Sequence, residues 1–284
     1  VDGNNIENKI LGGLRLSGKL TNNFRVGLLN LQTAEDINNE IPAANNAVLA
    51  FQQKMFSRSS LSFMFINKQT TKNYDFLDEN ERYNRVLGLD YRLASKDNSW
   101  TGKYFIHRSI SPEYNDKAFS SGISTTFNSR NFVMRLSGSY IGDNFRSDLG
   151  YIRRTDILKI DPQISLNLWP SKGRIQQHGF SVIPLFYWKP SLDYDNSDRF
   201  IMSSWSASFH STASISLAMN NRYTHLYSEF DPTQTEGAIP LAGDTDYSYT
   251  SFEFSFRSDQ RKKVSYSIRS SGGCFFIGNE YSVA

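Results

Sequence analysis

Apolar and polar positions alternate along most of the chain, most clearly in residues 132–170. In the sequence FVMRLSGSY, every second residue of 132–140 is apolar or glycine, whereas the intervening Arg135 and Ser137 are polar. A polar elbow, GDNFRSD, follows, and the same two-residue period returns in 158–168. A strict period of two over about ten residues is typical of a β-strand with one apolar and one polar face.

The same pattern repeats along the whole chain and predicts about fourteen strands. They are Ile10–Leu20, Phe24–Gln32, Ala47–Phe56, Leu61–Asn67, Tyr83–Leu93, Trp100–Arg108, Ala118–Phe127, Phe132–Tyr140, Leu158–Leu168, Gln176–Trp188, Phe200–Phe209, Ser214–Tyr227, Tyr247–Arg257 and Val264–Phe276. Turns of about three to five residues alternate with loops of about seven to seventeen, as in outer-membrane barrels. In β-sandwiches and propellers, short and long connections do not alternate in this regular way. The alternative to a membrane barrel is a soluble protein with many β-strands. We therefore predict an all-β fold, an antiparallel transmembrane β-barrel.

Charges within the predicted strands fall on the polar faces. Such charges are costly when they face lipid but acceptable when they face a lumen. We therefore expect the apolar faces to meet lipid and the polar faces to line or fill the barrel. The charged positions are Arg15, Asp90, Arg92, Lys103, Arg135, Glu253, Arg257 and Arg269.

The composition excludes a helical membrane protein, because no stretch approaches the roughly 18 apolar residues that a transmembrane helix needs. A net charge of +3 is ordinary, so we expect no nucleic-acid partner. Aromatic residues make up 14% of the chain, and they suit both pleated sheets and the girdles of membrane barrels. The single cysteine, Cys274, is interpreted as a small strand residue.

The direction of the first strand indicates that residues 1–284 form a single barrel domain that is part of a larger barrel. The first predicted strand runs from the long-loop side to the short turn Thr21–Asn23, whereas a complete bacterial barrel normally begins on the periplasmic side. The final NEYSVA also lacks a closing strand with a terminal aromatic. We expect at least one strand to be missing at the beginning, and leave open whether more are missing at the end.

Six segments carry a likeness to a known family: ILGGLRLSGK, NNFRVGLLNLQT, SRSSLSFMFINKQ, YNRVLGLDYRL, GDNFRSDLGYIRRTD and SDQRKKVSYSIRSSGGCFFIG. In this order they resemble the C-terminal domain of a Bacteroidota family of uncharacterised outer-membrane proteins. Members of that family carry an N-terminal module similar to family-9 carbohydrate-binding domains, followed by this barrel. The resemblance implies a location in the outer membrane, among its lipid and lipopolysaccharide, with other outer-membrane proteins or lipoproteins as candidate partners. The carbohydrate-binding module lies outside this chain, so no residue here is assigned to sugar binding.

The elbow and its flanks hold the densest group of charged and polar side chains. One hypothesis makes them a lumen cluster that binds a ligand or gates a pore. The other, which we favour, makes them a salt-bridged network that pins the loop. The residues are Asp143, Asn144, Arg146, Asp148, Arg153, Arg154 and Asp156.

Other candidates for chemistry are weaker. In DYDNSD, the oxygen ligands of Asp193, Asp195, Asn196 and Asp198 could hold Ca²⁺ in an external loop. The glycine and distal glutamate of an EF-hand are missing, so we favour a solvated turn. None of the four histidines, His107, His178, His210 and His225, lies in a recognisable catalytic motif. Phosphate loops, CxxC pairs and HExxH motifs are also missing, so we predict no enzyme activity and no cofactor.

The sequence patterns and the family resemblance together lead to one functional expectation and two alternatives. Because the resembled family couples the barrel to a separate binding module, the resemblance implies a non-catalytic outer-membrane barrel that acts as a membrane anchor or as a subunit of an outer-membrane complex. A channel for small solutes or glycan fragments is the first alternative, because a barrel of about fourteen strands has room for water unless it is plugged. An outer-membrane hydrolase is the more distant one.

Overall fold

A computed structural model describes residues 8–235 and 237–284. These residues form sixteen β-strands and three short 3₁₀ turns, so the fold is all-β. The strands are β1 Ile10–Lys19, β2 Phe24–Thr33, β3 Ala44–Met55, β4 Ser59–Thr70, β5 Tyr83–Ala94, β6 Trp100–Ile110, β7 Phe119–Asn128, β8 Phe132–Ile141, β9 Ile157–Ile160, β10 Gln163–Leu168, β11 Ile175–Lys189, β12 Asp195–Phe209, β13 Ser214–Leu226, β14 Thr245–Arg257, β15 Ser267–Phe275 and β16 Gly278–Val283. The 3₁₀ turns are Ile37–Asn39, Glu79–Glu81 and Pro190–Leu192. Within the described ranges, no helix is long and apolar enough to cross a membrane.

The strands form one antiparallel sheet in which chain neighbours pair. The order is β1 to β8 followed by β10 to β16, and β9 pairs with β8 and β11 beside this path. The register between β5 and β6 places Leu89 opposite Ile106 and Gly88 opposite His107. Because facing residues share a side of the sheet, the two-residue period of each strand extends across its neighbours. The predicted all-β antiparallel sheet is confirmed.

Strand β5 shows how this period distributes the side chains. On one face, Asn84 and Val86 are 1% and 2% exposed. On the other face Leu89 is 45% exposed, and its cross-strand neighbour Ile106 is 56% exposed. Leucine and isoleucine are usually among the most buried residues and asparagine among the exposed ones. Except at Val86, the usual distribution is therefore inverted at these positions.

Two differences raise the strand number from the predicted fourteen to sixteen. The predicted strand Leu158–Leu168 is divided into β9 and β10, because Pro162 has no N–H to donate to the ladder. Both pieces face β11 in a single register, with Ile160 opposite Phe186 and Ile164 opposite Val182. The second difference is β16, which pairs with β15 across the two-residue turn 276–277. The NEYSV segment of β16 is polar, so its sequence did not predict a strand.

The alternation of short turns and long loops holds for the first half of the chain and fails at three later connections. Strand β12 begins at Asp195, so the connection from β11 spans only 190–194. This start differs from the predicted Phe200 because the polar residues of the DYDNSD motif pair with the end of β11, as Asp195 does with Lys189. The β14–β15 connection, predicted as a short turn, spans 258–266, and the β15–β16 turn, on the long-loop side, has two residues.

Contacts along the chain divide it into two compact units. Within the described residues, unit 1 comprises 8–124 and 139–157, and unit 2 comprises the rest. Strands β1 to β6 lie in unit 1 and β10 to β16 in unit 2, whereas β7, β8 and β9 contribute residues to both. Buried side chains in each unit are mostly small or polar. Examples are Asn84 and Ser109 in unit 1 and Ala207, Ser197 and Asn220 in unit 2.

Candidate functional site

The charged elbow is the connection 142–156 between β8 and β9, and it lies in unit 1. Its first residue, Gly142, donates its N–H to the carbonyl of Phe119 at 2.9 Å. A Cβ atom at this position would lie 1.8 Å from the carbonyl oxygen of Lys117, so only glycine fits. At its first residue the elbow therefore packs closely against residues 117–119, at the beginning of β7.

An ion-pair network holds the centre of the elbow to β4. The Nε atom of Arg146 lies 2.8 Å from Oδ1 of Asp148, and Nζ of Lys68 in β4 lies 3.2 Å from Oδ2 of the same carboxylate. The Asp148 side chain is mostly buried. Both carboxylate oxygens thus face a cation, which is the arrangement that offsets the cost of burying the charge.

Asn84 of β5 connects the same network to the sheet. Its Oδ1 accepts from the backbone N–H of Asp148 at 3.1 Å, and its Nδ2 donates to the carbonyl of Arg146 at 3.2 Å and to Oγ of Ser109 at 3.1 Å. Arg146 also donates to the carbonyl of Asn80 at 2.8 Å. A buried amide whose donors and acceptor are satisfied specifies one geometry, because any displacement would leave polar groups unpaired.

The elbow lies on the polar face of β4 to β6. Lys68 lies opposite Asn84, and Ser109 lies on the same face, opposite Val86. This face is the side opposite to the exposed Leu87 and Leu89. Phe145, within the elbow, is also buried. Side chains of the elbow therefore cover the long-loop end of this polar face, and the arrangement can fix a loop there or obstruct access to it.

The structure places the seven predicted residues in different surroundings. Arg146 and Asp148 are paired, and Asn144 donates to the carbonyl of Asp116 at 3.0 Å. Asp156 is buried and has a left-handed backbone (φ 52°) just before β9. The remaining three, Asp143, Arg153 and Arg154, have exposed side chains.

The partners on the strands were not predicted as site residues. Lys68 and Asn84 lie more than 60 positions away in sequence from Asp148 and Arg146, their partners in the elbow. The sequence did show that Asn84 lies on the polar face of β5, the most regularly alternating strand. Position on the polar face does not tell whether the amide of Asn84 is buried or solvated.

The DYDNSD carboxylates do not converge. Asp193 lies in the turn after the 3₁₀ segment, with φ 53°. Asp195 accepts from the hydroxyl of Tyr227 at 3.0 Å, and Asp198 accepts from Thr224 Oγ1 at 2.6 Å. In the part of the chain that the structure describes, no group of three or more His, Cys, Asp or Glu side chains could hold a metal ion.

Two of the four histidines contact carboxylates. Nε2 of His107 lies 2.7 Å from Oδ1 of Asp90, and Nδ1 of His225 lies 2.8 Å from Oδ1 of Asp246. His178 packs against the ring of Trp205 at a centroid distance of 6.0 Å, and His210 lies in the β12–β13 turn. These contacts orient side chains on adjacent strands.

A second group of charged and polar residues joins two long connections of unit 1, 34–43 and 71–82. Oε2 of Glu35 accepts from the hydroxyl of Tyr74 at 2.7 Å and from Nζ of Lys72 at 3.0 Å, and Tyr74 Oη accepts from the N–H of Ala43 at 3.0 Å. The Tyr74 and Lys72 hydrogen bonds lower the pKa of Glu35, and Glu35 in turn raises the pKa of Lys72. Desolvation, followed by the hydrogen bond to Glu35, raises the pKa of Tyr74. The loops on this side of unit 1 are therefore cross-linked as well.

One family model matches residues 3–282, nearly the whole chain, and it is described as a domain of unknown function (DUF5916). No curated protein and no solved structure matches the chain. The description of the family names no activity, organism or location. Because the match extends over almost every strand of both units, the chain belongs to the DUF5916 family.

Proposed function

We propose that this chain forms a transmembrane antiparallel β-barrel, or most of one, in a bacterial outer membrane. In this proposal it acts there as a membrane anchor or as a subunit of a larger membrane complex. The observation that carries the proposal is the inverted polarity of the strands. Large apolar side chains occupy the exposed face, and most buried positions are small or polar. A soluble sheet would gain by burying the apolar face, whereas a sheet in lipid keeps this face outside.

Each unit, taken by itself, has an exposed apolar face. In unit 1 it includes Phe63, Leu87, Leu89, Ile106 and Ile123, and in unit 2 Met134, Leu136, Ile164, Leu166, Phe180, Val182, Leu217, Met219 and Phe252. Soluble monomers rarely expose contiguous apolar patches of more than a few hundred Å². A face of this extent supports contact with lipid or with other membrane proteins.

Aromatic and cationic side chains flank this apolar face in unit 2. At the long-loop end, Nζ of Lys189 lies 4.7 Å above the ring of Tyr227, and at the short-turn end the guanidinium of Arg130 lies 5.3 Å above the ring of Trp169. Amphipathic rings with nearby cations are typical of the interface between lipid tails and headgroups. These pairs are consistent with two interfaces that bound a membrane-embedded band.

The position of the elbow favours an anchor or subunit over an open channel. In a barrel the polar face of β4 to β6 would line the lumen, and the elbow is fixed on that face by Lys68, Asn84 and the Arg146–Asp148 pair. An inward-folded loop held by several polar contacts narrows the passage. The resemblance to outer-membrane proteins that carry a separate binding module supports the same role, in which the barrel holds another domain or a partner at the membrane.

The proposal is tested by fractionation followed by conductance. The chain, expressed with an export signal in a Gram-negative host, is expected in the outer-membrane fraction, resistant to urea extraction and with heat-modifiable mobility on gels. Recovery as a soluble periplasmic protein would contradict it. In planar bilayers we expect little steady conductance from the purified chain. During purification from membranes we expect the chain to remain associated with other outer-membrane proteins. Large steady conductance would instead support the channel.

Catalysis is a lesser candidate function. His107 and His225 each contact a carboxylate, and we interpret these contacts as ones that orient neighbouring side chains. Hydrolysis that disappears in a His107→Ala or His225→Ala variant, with the fold retained, would contradict the non-catalytic assignment.

A further inference from the structure

We propose that a basic cleft in unit 1 binds a soluble phosphate-bearing anion. The cleft has a volume of about 340 Å³ and is lined by four cationic side chains, those of Lys19, Arg25, Lys54 and Arg58. Its other lining residues are neutral and polar: Asn22, Asn23, Gln52, Ser59 and Ser60. The inference does not depend on the proposed membrane function.

The fold forces the four cations together. Lys19 at the end of β1 faces Arg25 at the start of β2, and Arg25 in turn faces Gln52 of β3. The backbone N–H of Lys54 donates to the carbonyl of Asn23 at 2.7 Å, which fixes the end of β3 beside the β1–β2 turn. Like charges directly opposite each other on adjacent strands are destabilising unless a counter-ion joins them. A bound anion would relieve this repulsion.

The sequence supplies no carboxylate to neutralise this end of β1 to β4. Neither 9–34 nor 41–74 contains a single Asp or Glu. Among the described residues of unit 1, every carboxylate except those of Asp90 and Asp97 lies in the long connections 34–43, 71–82, 111–118 and 142–156. Acidic residues are thus concentrated at one end of the strands, and the cleft lies at the other. Such a one-sign cleft raises the local concentration of anions.

The chemistry of the lining selects the class of ligand. Two guanidinium groups match phosphate oxygens in a bidentate manner, two ammonium groups act as point charges, and the amides of Asn22 and Gln52 offer neutral donors. A cleft of this volume lies near the lower limit of small-molecule sites, roughly 300 Å³, so it suits a compact ligand with one or two phosphate groups.

The side of the sheet on which the cleft lies indicates the source of the anion. Arg25 and Gln52 point to one face of β2 and β3, whereas Phe24 and Phe51 stack on the other face with ring centroids 6.0 Å apart. The acyl chains of a lipid would need the apolar face. A headgroup attached to such chains is therefore disfavoured in the cleft, and a soluble anion is favoured.

The test measures binding of inorganic pyrophosphate to the full chain in a zwitterionic detergent by isothermal titration calorimetry at low salt. We expect saturable binding with about one site per chain that weakens as salt is raised, because the attraction is screened. The double variant Arg25→Gln/Lys54→Gln is expected to bind at least tenfold more weakly. The charge-preserving variant Arg25→Lys/Lys54→Arg is expected to retain most of the affinity.

A matched control removes two exposed lysines from turns of unit 2, in the variant Lys172→Gln/Lys262→Gln, and should bind as the unaltered chain does. Circular dichroism identifies variants that fold. The same titration in nanodiscs compares anionic with zwitterionic lipid. Absence of saturable pyrophosphate binding, equal loss of affinity in the control, or loss of pyrophosphate binding in anionic but not in zwitterionic nanodiscs would each overturn the assignment.

Discussion

The Nζ atom of Lys68 lies 3.2 Å from Oδ2 of Asp148, so a residue of β4 is joined to one 80 positions later in the chain. This pair, the Arg146–Asp148 pair and the hydrogen bonds of Asn84 fold the elbow onto the polar face of β4 to β6. Asp148 is the shared member of the network, since it contacts both cations through its side chain and Asn84 through its backbone.

Substitution of Asp148 by Asn should loosen the elbow. Asparagine removes the charge that both Lys68 and Arg146 contact, and the loss for such a partly buried, hydrogen-bonded charge is about 1–3 kcal/mol. Amide hydrogen exchange in 142–156 should accelerate roughly tenfold for each ~1.4 kcal/mol lost. The matched control is Asp143→Asn, because Asp143 lies in the same elbow with an exposed side chain. Equal exchange in the two variants would contradict the assigned role of Asp148.

Substitution of Asn84 by Ala should destabilise unit 1. The change removes the partner of the Asp148 N–H, the Arg146 carbonyl and the Ser109 hydroxyl at a position that is almost fully buried. An unpaired buried polar group costs about 1–3 kcal/mol, so the urea midpoint in detergent should fall measurably. Asn128→Ala, at the exposed end of β7, serves as the control and should leave the midpoint unchanged. An equally small effect in both variants would show that Asn84 is not a structural link.

The turn 95–99 should have a distinct response to acid. Oδ1 of Asp97 accepts from the hydroxyls of Ser95 and Ser99 at 2.6 and 2.9 Å, and these bonds lower the pKa of Asp97 from 3.8 to about 2. Since the folded-state pKa lies below the unfolded one, Asp97 favours the folded turn above about pH 4. This contribution is lost as the pH falls from 3.8 through 2.

The measurement for this turn is a ¹³C-carboxyl NMR titration of Asp97. In the variant Ser95→Ala/Ser99→Ala the pKa should rise toward 3.8, because the hydrogen bonds that stabilise the carboxylate are gone. A wild-type midpoint already near 3.8, or one that the double substitution leaves unchanged, would contradict the role given to the two serines.

The alternation of apolar and polar residues predicted most strands, because successive side chains of a β-strand point to opposite faces of the sheet. Strand β5 was expected over Tyr83–Leu93 and extends to Ala94, and its leucines lie on the expected face, whereas Val86 is buried on the same face as Asn84. The rule fails where the backbone or the pairing decides instead. Pro162 interrupts an otherwise regular strand, and residues 278–283 form β16 because the 276–277 turn brings them against β15.

The candidate site was predicted only in part. Local composition identified the elbow, including Arg146 and Asp148, but not the side chains that hold it. Lys68 and Asn84 become neighbours of the elbow only when β4 and β5 pair and the chain returns after β8, and no local pattern encodes that meeting. The basic cleft was also missed, since its four cations come from two hairpins, β1–β2 and β3–β4, and are ordinary charges when each is considered by itself.

The most direct test of the central claim compares lysine at two adjacent positions of β13. Leu217 is 46% exposed on the apolar face, beside Trp205 and Phe254, whereas Ser216 lies on the polar face beside Ser206 and Ser255. If the apolar face meets lipid, Leu217→Lys should lower the unfolding free energy in lipid vesicles by about 2–4 kcal/mol and Ser216→Lys by much less. If the protein is soluble, lysine at the exposed position 217 should be tolerated at least as well as lysine at position 216, and that result would contradict the membrane-embedded barrel.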